Sequence, residues 1–272
     1  MLGFNKLVAS GRMADIYEYE QGRLLKLNHS GYPAILAEME AGITRAAWQA
    51  GLPVPEVFDC LEVDGRYGIV FERVHGQTLM NVLETHPLRF AAIARQLAQL
   101  HANMNACQAG SQLPSQKAGI ENGIMAATGI TEEERNSVLK ILESLPEGSA
   151  LCHGDFHPGN ILCSESGAVI IDWLTGNRGD PLADVCRTLL IIESVVLPPE
   201  TPPLMKLVLT VFRRQFTRVY LGWYLKLRPA KLQHIHRWRL PLITQRLREV
   251  EGYPSEKELL LKMMRSRLAK HS

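Results

Sequence analysis

The chain has 272 residues, 46% hydrophobic and 21% charged, with a net charge of +2 at pH 7. That length buries a large core as one domain or two lobes, and the balance is ordinary for a globular protein. The near-neutral charge gives no electrostatic footprint for nucleic acid, and no apolar run reaches the ~18–20 residues of a membrane-spanning helix. Met1 to Lys6 shows no charged start leading into a long apolar core, so no signal peptide is expected. Five cysteines (Cys60, Cys107, Cys152, Cys163, Cys186) form no C-x-x-C pair and read as reduced thiols. The expectation is a cytoplasmic protein with no membrane or nucleic-acid partner. Its oligomeric state leaves no signal in the sequence.

In chain order, Leu7 to Tyr19 reads as two strands around a polar turn, and Arg23 to Leu27 as a third strand after Gln21-Gly22. Lys26 sits on that third strand amid leucines, where an ammonium needs a partner or a path to water. Pro33 to Ala50 has helical periodicity, stopped by Gly51 and Pro53. It carries Glu38 and Glu40, which point about 200° apart on a helix. Two prolines, Pro53 and Pro55, lead into a strand from Val57 to Val63. Asp64-Gly65 is a hairpin turn, and Tyr67 to Val74 returns.

The character changes at His75-Gly76. Pro87 to Asn105 is a periodic helix, and His101 in it reads as a core or capping histidine. Cys107 to Gly129 is polar and Gly/Ser-rich, a loop or insertion. Thr131 with Glu134 forms a capping box that opens a helix ending near Pro146. From Pro202 to Ala269 the sequence is again helical and rich in Lys and Arg, Arg213, Arg239 and Arg246 among them, with Lys270 next in the chain. Such a tail suits either a solvated face or an anionic ligand, and it offers few carboxylates to a polycation.

The most informative stretch is Leu151-Cys152-His153-Gly154-Asp155-Phe156-His157-Pro158-Gly159-Asn160-Ile161-Leu162, with Ile170-Ile171-Asp172-Trp173 downstream. It reads as strand, polar loop, hairpin, then a carboxylate just past a strand end. Turn formation alone accounts for any one of its polar residues. Together, two carboxylates and a carboxamide are what phosphoryl transfer requires. One carboxylate orients the attacking hydroxyl and accepts its proton, while the carboxamide and second carboxylate hold Mg²⁺ on the phosphates. Asp155, Asn160 and Asp172 fit those roles in order.

The His-x-Asp-x-x-x-x-Asn spacing resembles the kinase catalytic loop. More closely, His-Gly-Asp-Phe-His-Pro-Gly-Asn with Ile-Asp-Trp resembles the aminoglycoside phosphotransferase family, as do Gly51-Leu52-Pro53-Val54-Pro55 and Gly179-Asp180-Pro181-Leu182-Ala183-Asp184. The resemblance implies an α+β, two-lobed protein-kinase-like fold. A small antiparallel-sheet N-lobe with one helix would span residues 1–75 and bind nucleotide. A larger, mainly helical C-lobe, residues 76–272, would carry catalysis and substrate. It further implies ATP, with GTP as the alternative, plus Mg²⁺ and a small-molecule hydroxyl acceptor. Lys26 would hold phosphates, steadied by Glu40 with Glu38 as the fallback. Ser10 and Gly11 would lie over the phosphates, although this loop has one glycine where the protein-kinase pattern has three. Backbone groups from Glu72 to Val74 would meet adenine, and Val8, Ala9, Ile16 and Phe71 would line its slot or fill a small core. Asp180 would cap a helix, Asp184 would hold the catalytic loop backbone near His153, and His153 would brace that loop while Asp155 serves as base. The rival readings are a pseudokinase that only binds nucleotide and a kinase with a protein substrate. Against the first, every catalytic position holds a competent residue type.

Overall fold

The computed structural model describes residues 6–194, 196, 197 and 200–269; Met1 to Asn5 and Lys270 lie outside the described residues. The chain packs as two compact units, Met1–Thr85 with Pro158–Gly176, and His86–His157 with Asn177–Ser272.

The first unit is built on a five-stranded antiparallel sheet. Its strands are β1 (Leu7–Ser10), β2 (Ala14–Glu18), β3 (Arg23–Asn28), β4 (Val57–Val63) and β5 (Arg66–Glu72), in the order β1-β2-β3-β5-β4. Asp64 and Gly65 both have positive φ, the requirement of the tight hairpin turn between β4 and β5. One face of the sheet buries Leu25, Leu27, Val63 and Val70. The other buries Ile69 against Ala37 and Ala41 of helix α1 (Ala34–Gln49). Strand alternation decides what α1 meets on β3. Leu25 and Leu27 enter the first core, so Lys26, directly opposite Ile69, faces the helix.

The same unit takes up a second, three-stranded sheet of β6 (Gln77–Thr78), β8 (Ile161–Ser164) and β9 (Gly167–Ile170), with α2 (Leu79–Thr85) beside it. A single division at 75/76 is therefore not how the chain packs. β6 pairs with β8, and α2 packs on the turn at Pro158–Asn160, so 76–85 and 158–176 go with the first unit. At Gly76 an added Cβ would lie 2.1 Å from the Cys163 carbonyl oxygen, so only glycine permits that approach.

The second unit holds α3 (Phe90–Met104), α4 (Gln116–Met125), α5 (Glu132–Glu143), the pair β7 (Ala150–Cys152) and β10 (Asn177–Gly179), α6 (Pro181–Glu193), and α7 (Pro203–Leu227) to α10 (Pro254–Leu268), with α8 (Leu232–Arg237) and α9 (Arg239–Glu249) between. The Thr131 capping box forms as expected, with Thr131 and Glu134 bonding each other's backbone N–H. Helix α4 corrects the expectation of a loop over 107–129. Ser115 caps it, and its short apolar face, Ile120 and Ile124, is buried where α4 packs on α9. Gly119 and Gly123 weakened its periodicity in the sequence; Gly123 is needed because a Cβ there would meet Gln245 at 2.5 Å. The basic C-terminal region is not simply a solvated face. Arg239 is buried and paired with Glu193, and Arg246 pairs with Glu256. Among the described residues no helix is long and apolar enough to cross a membrane.

Candidate active site

In the first unit, three charges far apart in sequence meet. The Lys26 ammonium lies 2.7 and 2.9 Å from the two Glu40 carboxylate oxygens and 2.8 Å from Asp172 Oδ1. Glu40, not Glu38, is thus the partner; Glu38 is exposed on another side of α1. Burial works against the ammonium, yet attraction to Glu40 and then Asp172 outweighs it and raises the Lys26 pKa. Burial pushes the Glu40 carboxyl up in spite of Lys26, with Asp172 adding to the push. Glu40 is almost fully enclosed, whereas the Asp172 side chain is 46% exposed.

Asp172 has φ of +64°, a left-handed backbone that Asp tolerates better than most residues. Just before it, the Ile171 N–H donates to the Asn160 carbonyl at 3.0 Å. That bond continues the β8–β9 register, in which Ile161 opposes Ile170, and it sets residues 160 and 171 side by side. The Ile170 N–H in turn donates to the Pro53 carbonyl at 2.7 Å, so the proline-rich stretch anchors β9.

The remaining first-unit candidates occupy the sheet's loops and edges. Ser10 and Gly11 form the β1–β2 turn, with Gly11 N–H donating to Ala14 carbonyl at 2.9 Å and the Ser10 hydroxyl to Asp15 at 2.7 Å. Asp15 also receives His29 and Arg66, and these bonds, Ser10 first, hold its pKa down at about 2. Glu72 ends β5, its N–H bonded to the Glu56 carbonyl, and Val74 follows two residues on. Val8 and Ala9 are exposed and Ile16 half-buried, whereas Phe71 packs on the α1-side core.

In the second unit, Asp155 sits on the turn after β7, its side chain about one-third exposed. Five backbone groups of residues 153–156 have side-chain holders. The fully buried Asp184 carboxylate accepts the N–H groups of His153 (2.9 Å) and Gly154 (2.8 Å). The Asp155 N–H donates to His153 Nδ1 at 3.2 Å, the bracing role expected of that histidine. The Gly154 carbonyl accepts from the Arg187 guanidinium, and the Phe156 carbonyl from the Thr188 hydroxyl at 2.8 Å. Gly154 itself has φ of +74°. Burial would raise the Asp155 pKa. Its bond to His157, 3.5 Å away, and the charges of His157, Arg187 and His153 instead hold it below the ordinary carboxylate range. Asp184 lies at about 2, its burial outweighed by His101 and the two amides.

These braces come from α6, whose cap is also as expected: Asp180 accepts from the Leu182 N–H at 2.8 Å, with Pro181 at the first helical position. Arg187 and Thr188 had no role assigned from sequence. The available signal was a cation and a hydroxyl inside the apolar run Val185 to Ile192. Arg187 is balanced by Glu249 of α9 at 2.9 Å.

The family described as "phosphotransferase enzyme family", APH, matches residues 6–205. No curated protein sequence matches the chain. Among solved structures, aminoglycoside phosphotransferase APH(4)-Ia is similar at 16% identity and a TM-score of 0.70, covering 98% of this chain and 93% of that one. Amicoumacin kinase hAmiN, in complex with AMP-PNP, Ca²⁺ and Ami, is similar at 16% identity and 0.66, covering 97% and 88%. The streptomycin–ATP–APH(2'')-IIa complex is similar at 17% identity and 0.60, covering 98% and 92%. At these identities the structures establish a shared kinase-like fold.

Proposed function

The chain belongs to the phosphotransferase enzyme family, and we propose that it moves the γ-phosphoryl group of ATP to a hydroxyl of a small molecule, with Mg²⁺ required. The observation that carries this reading is Lys26 held between Glu40 and Asp172. A lysine on the leucine-rich strand β3, aligned by a helix glutamate and touching a carboxylate that follows a hairpin, is arranged to hold phosphate oxygens.

Asp155 is the group that accepts the hydroxyl proton. Its lowered pKa keeps it ionised at neutral pH. In a loose phosphoryl-transfer transition state a strong base is not needed, so its main contribution is to orient the acceptor. The backbone braces on residues 153–156 fix that orientation. Asn160 and Asp172 would hold the metal. They offer one carboxamide and one carboxylate, hard oxygen donors of the kind Mg²⁺ takes alongside phosphate oxygens rather than a full protein cage. Nucleotide oxygens would complete the set. When bound, Mg²⁺ supplies neutralisation of phosphate charge. The Ser10–Gly11 turn and the backbone from Glu72 to Val74 are the nucleotide's remaining contacts in this reading.

Similar structures that carry adenine nucleotides and small antibiotics support this donor and acceptor class. Helix α7 bears Lys206, Arg213, Arg214, Arg218 and Lys226 and no acidic residue, so it offers no carboxylate to a polycationic acceptor. The test is a screen of alcohols, sugars, amino sugars and choline-like compounds with coupled ADP detection, run on the parent and Asp155→Asn. Acceptor-dependent ADP release by the parent alone supports the proposal. ATP binding without release with any acceptor points to a pseudokinase, and label transferred only to protein points to a protein kinase.

A further inference from the structure

Two tyrosines of α7 take no part in the chemistry above, yet both are fully buried, with hydroxyls bonded to His101 of α3 and to Asn105 just after it. Tyr220 OH lies 2.7 Å from His101 Nδ1, and Tyr224 OH donates to Asn105 Oδ1 at 2.8 Å. Each pair is four residues apart on its helix, so the two faces meet turn for turn. On their other sides, His101 Nε2 lies 3.0 Å and Asn105 Nδ2 3.4 Å from the same oxygen, Asp184 Oδ2. That carboxylate holds the His153 and Gly154 amides.

The donor directions follow from the ends of these paths. Asp184, ionised, only accepts, so the hydrogen between the two groups sits on His101 Nε2, which leaves His101 Nδ1 to pair with the Tyr220 hydroxyl. In the same way, Tyr224 donating to Asn105 Oδ1 turns the Asn105 amide so that its N–H groups face Asp184 and the Leu151 carbonyl. Without either hydroxyl, a buried polar atom of His101 or Asn105 loses its α7 partner and the group is freer to turn.

We propose that Tyr220 and Tyr224 are positioning residues of the transfer reaction, acting through His101 and Asn105 on Asp184 to hold the 153–154 backbone, and with it Asp155, in place. This rests on the reading of Asp155 as base given above. Its test is Tyr220→Phe and Tyr224→Phe, singly, each keeping the ring and removing one hydroxyl. Thermal melting gives the folded fraction, steady-state kinetics separate kcat from the KM for ATP, and hydrogen exchange follows the His153 and Gly154 amides. Each variant should lose about tenfold in kcat per folded molecule, with the KM for ATP changed less than about twofold. Exchange at the two amides should quicken about tenfold. Parent-like exchange at both amides, or parent-like kcat per folded molecule, overturns the relay. If the parent itself transfers no phosphoryl group, the functional reading fails instead, and amide exchange still decides whether the tyrosines hold the loop.

Discussion

The two units carry their candidate residues in opposite ways. In the first, Lys26, Glu40 and Asp172 are held chiefly by one another, and Asp172 stands half in solvent. In the second, Asp155 is held through its backbone, by groups that are themselves buried and bonded: Asp184, Arg187, Thr188 and His153. Mutually compensating charges can exchange partners when a ligand arrives. A backbone cradle held by buried side chains cannot shift without leaving those polar groups unpaired. The first arrangement suits binding, the second the fixed orientation of a reacting group.

The sharpest way to break this contrast is at Asp155. Asp155→Asn should lower kcat by about 10²–10⁴-fold, the usual range for a general base, with nucleotide affinity within about twofold of the parent; kcat in the ADP-coupled assay measures it. Next comes Asp184→Ala, which removes one carboxylate from two amides and His101. It should cost about 3–5 kcal/mol of stability, read as a lowered denaturant midpoint. The same residue predicts a pH dependence. Its carboxyl at about 2 lies below its ordinary 3.8, so its contribution is fully present above the unfolded value. As pH falls from about 4 to about 2, about 2 kcal/mol should be lost, and Asp184→Asn should flatten that part of the stability curve. The smallest effect is expected at Glu40→Gln. Lys26 keeps Asp172, so the KM for ATP should rise only about three- to tenfold while the folded state persists.

The sequence made the second unit's loop easier to read than its supports. His153 to His157 opens the contiguous motif His153 to Asn160, whose residue types and spacing point to one chemistry, and the Asp180–Pro181 cap is local. Arg187, Thr188, Asn105, Tyr220 and Tyr224 reach that loop only through tertiary packing, and on their own helices they pass for ordinary core or polar positions. Glu40 against Glu38 was a question of helix phase. Strand alternation on β3 answers it once the sheet shows Lys26 facing α1 beside Ile69. Helix α4 and the short strands β6 and β10 were missed because two or three strand residues, or a helix carrying two glycines, leave almost no periodicity. The inclusion of 158–176 in the first unit depends on a pairing, Gln77 with Cys163, across more than eighty residues of sequence.

The contrast is tested most directly by titrating Mg-ATP, by calorimetry, into Asp155→Asn and Lys26→Met in parallel with the parent. The expected result is parent-like affinity for Asp155→Asn and at least about tenfold weaker binding for Lys26→Met. Weaker binding in Asp155→Asn, or unchanged binding in Lys26→Met, would contradict the assignment of nucleotide to one unit's charges and orientation of the acceptor to the other's loop.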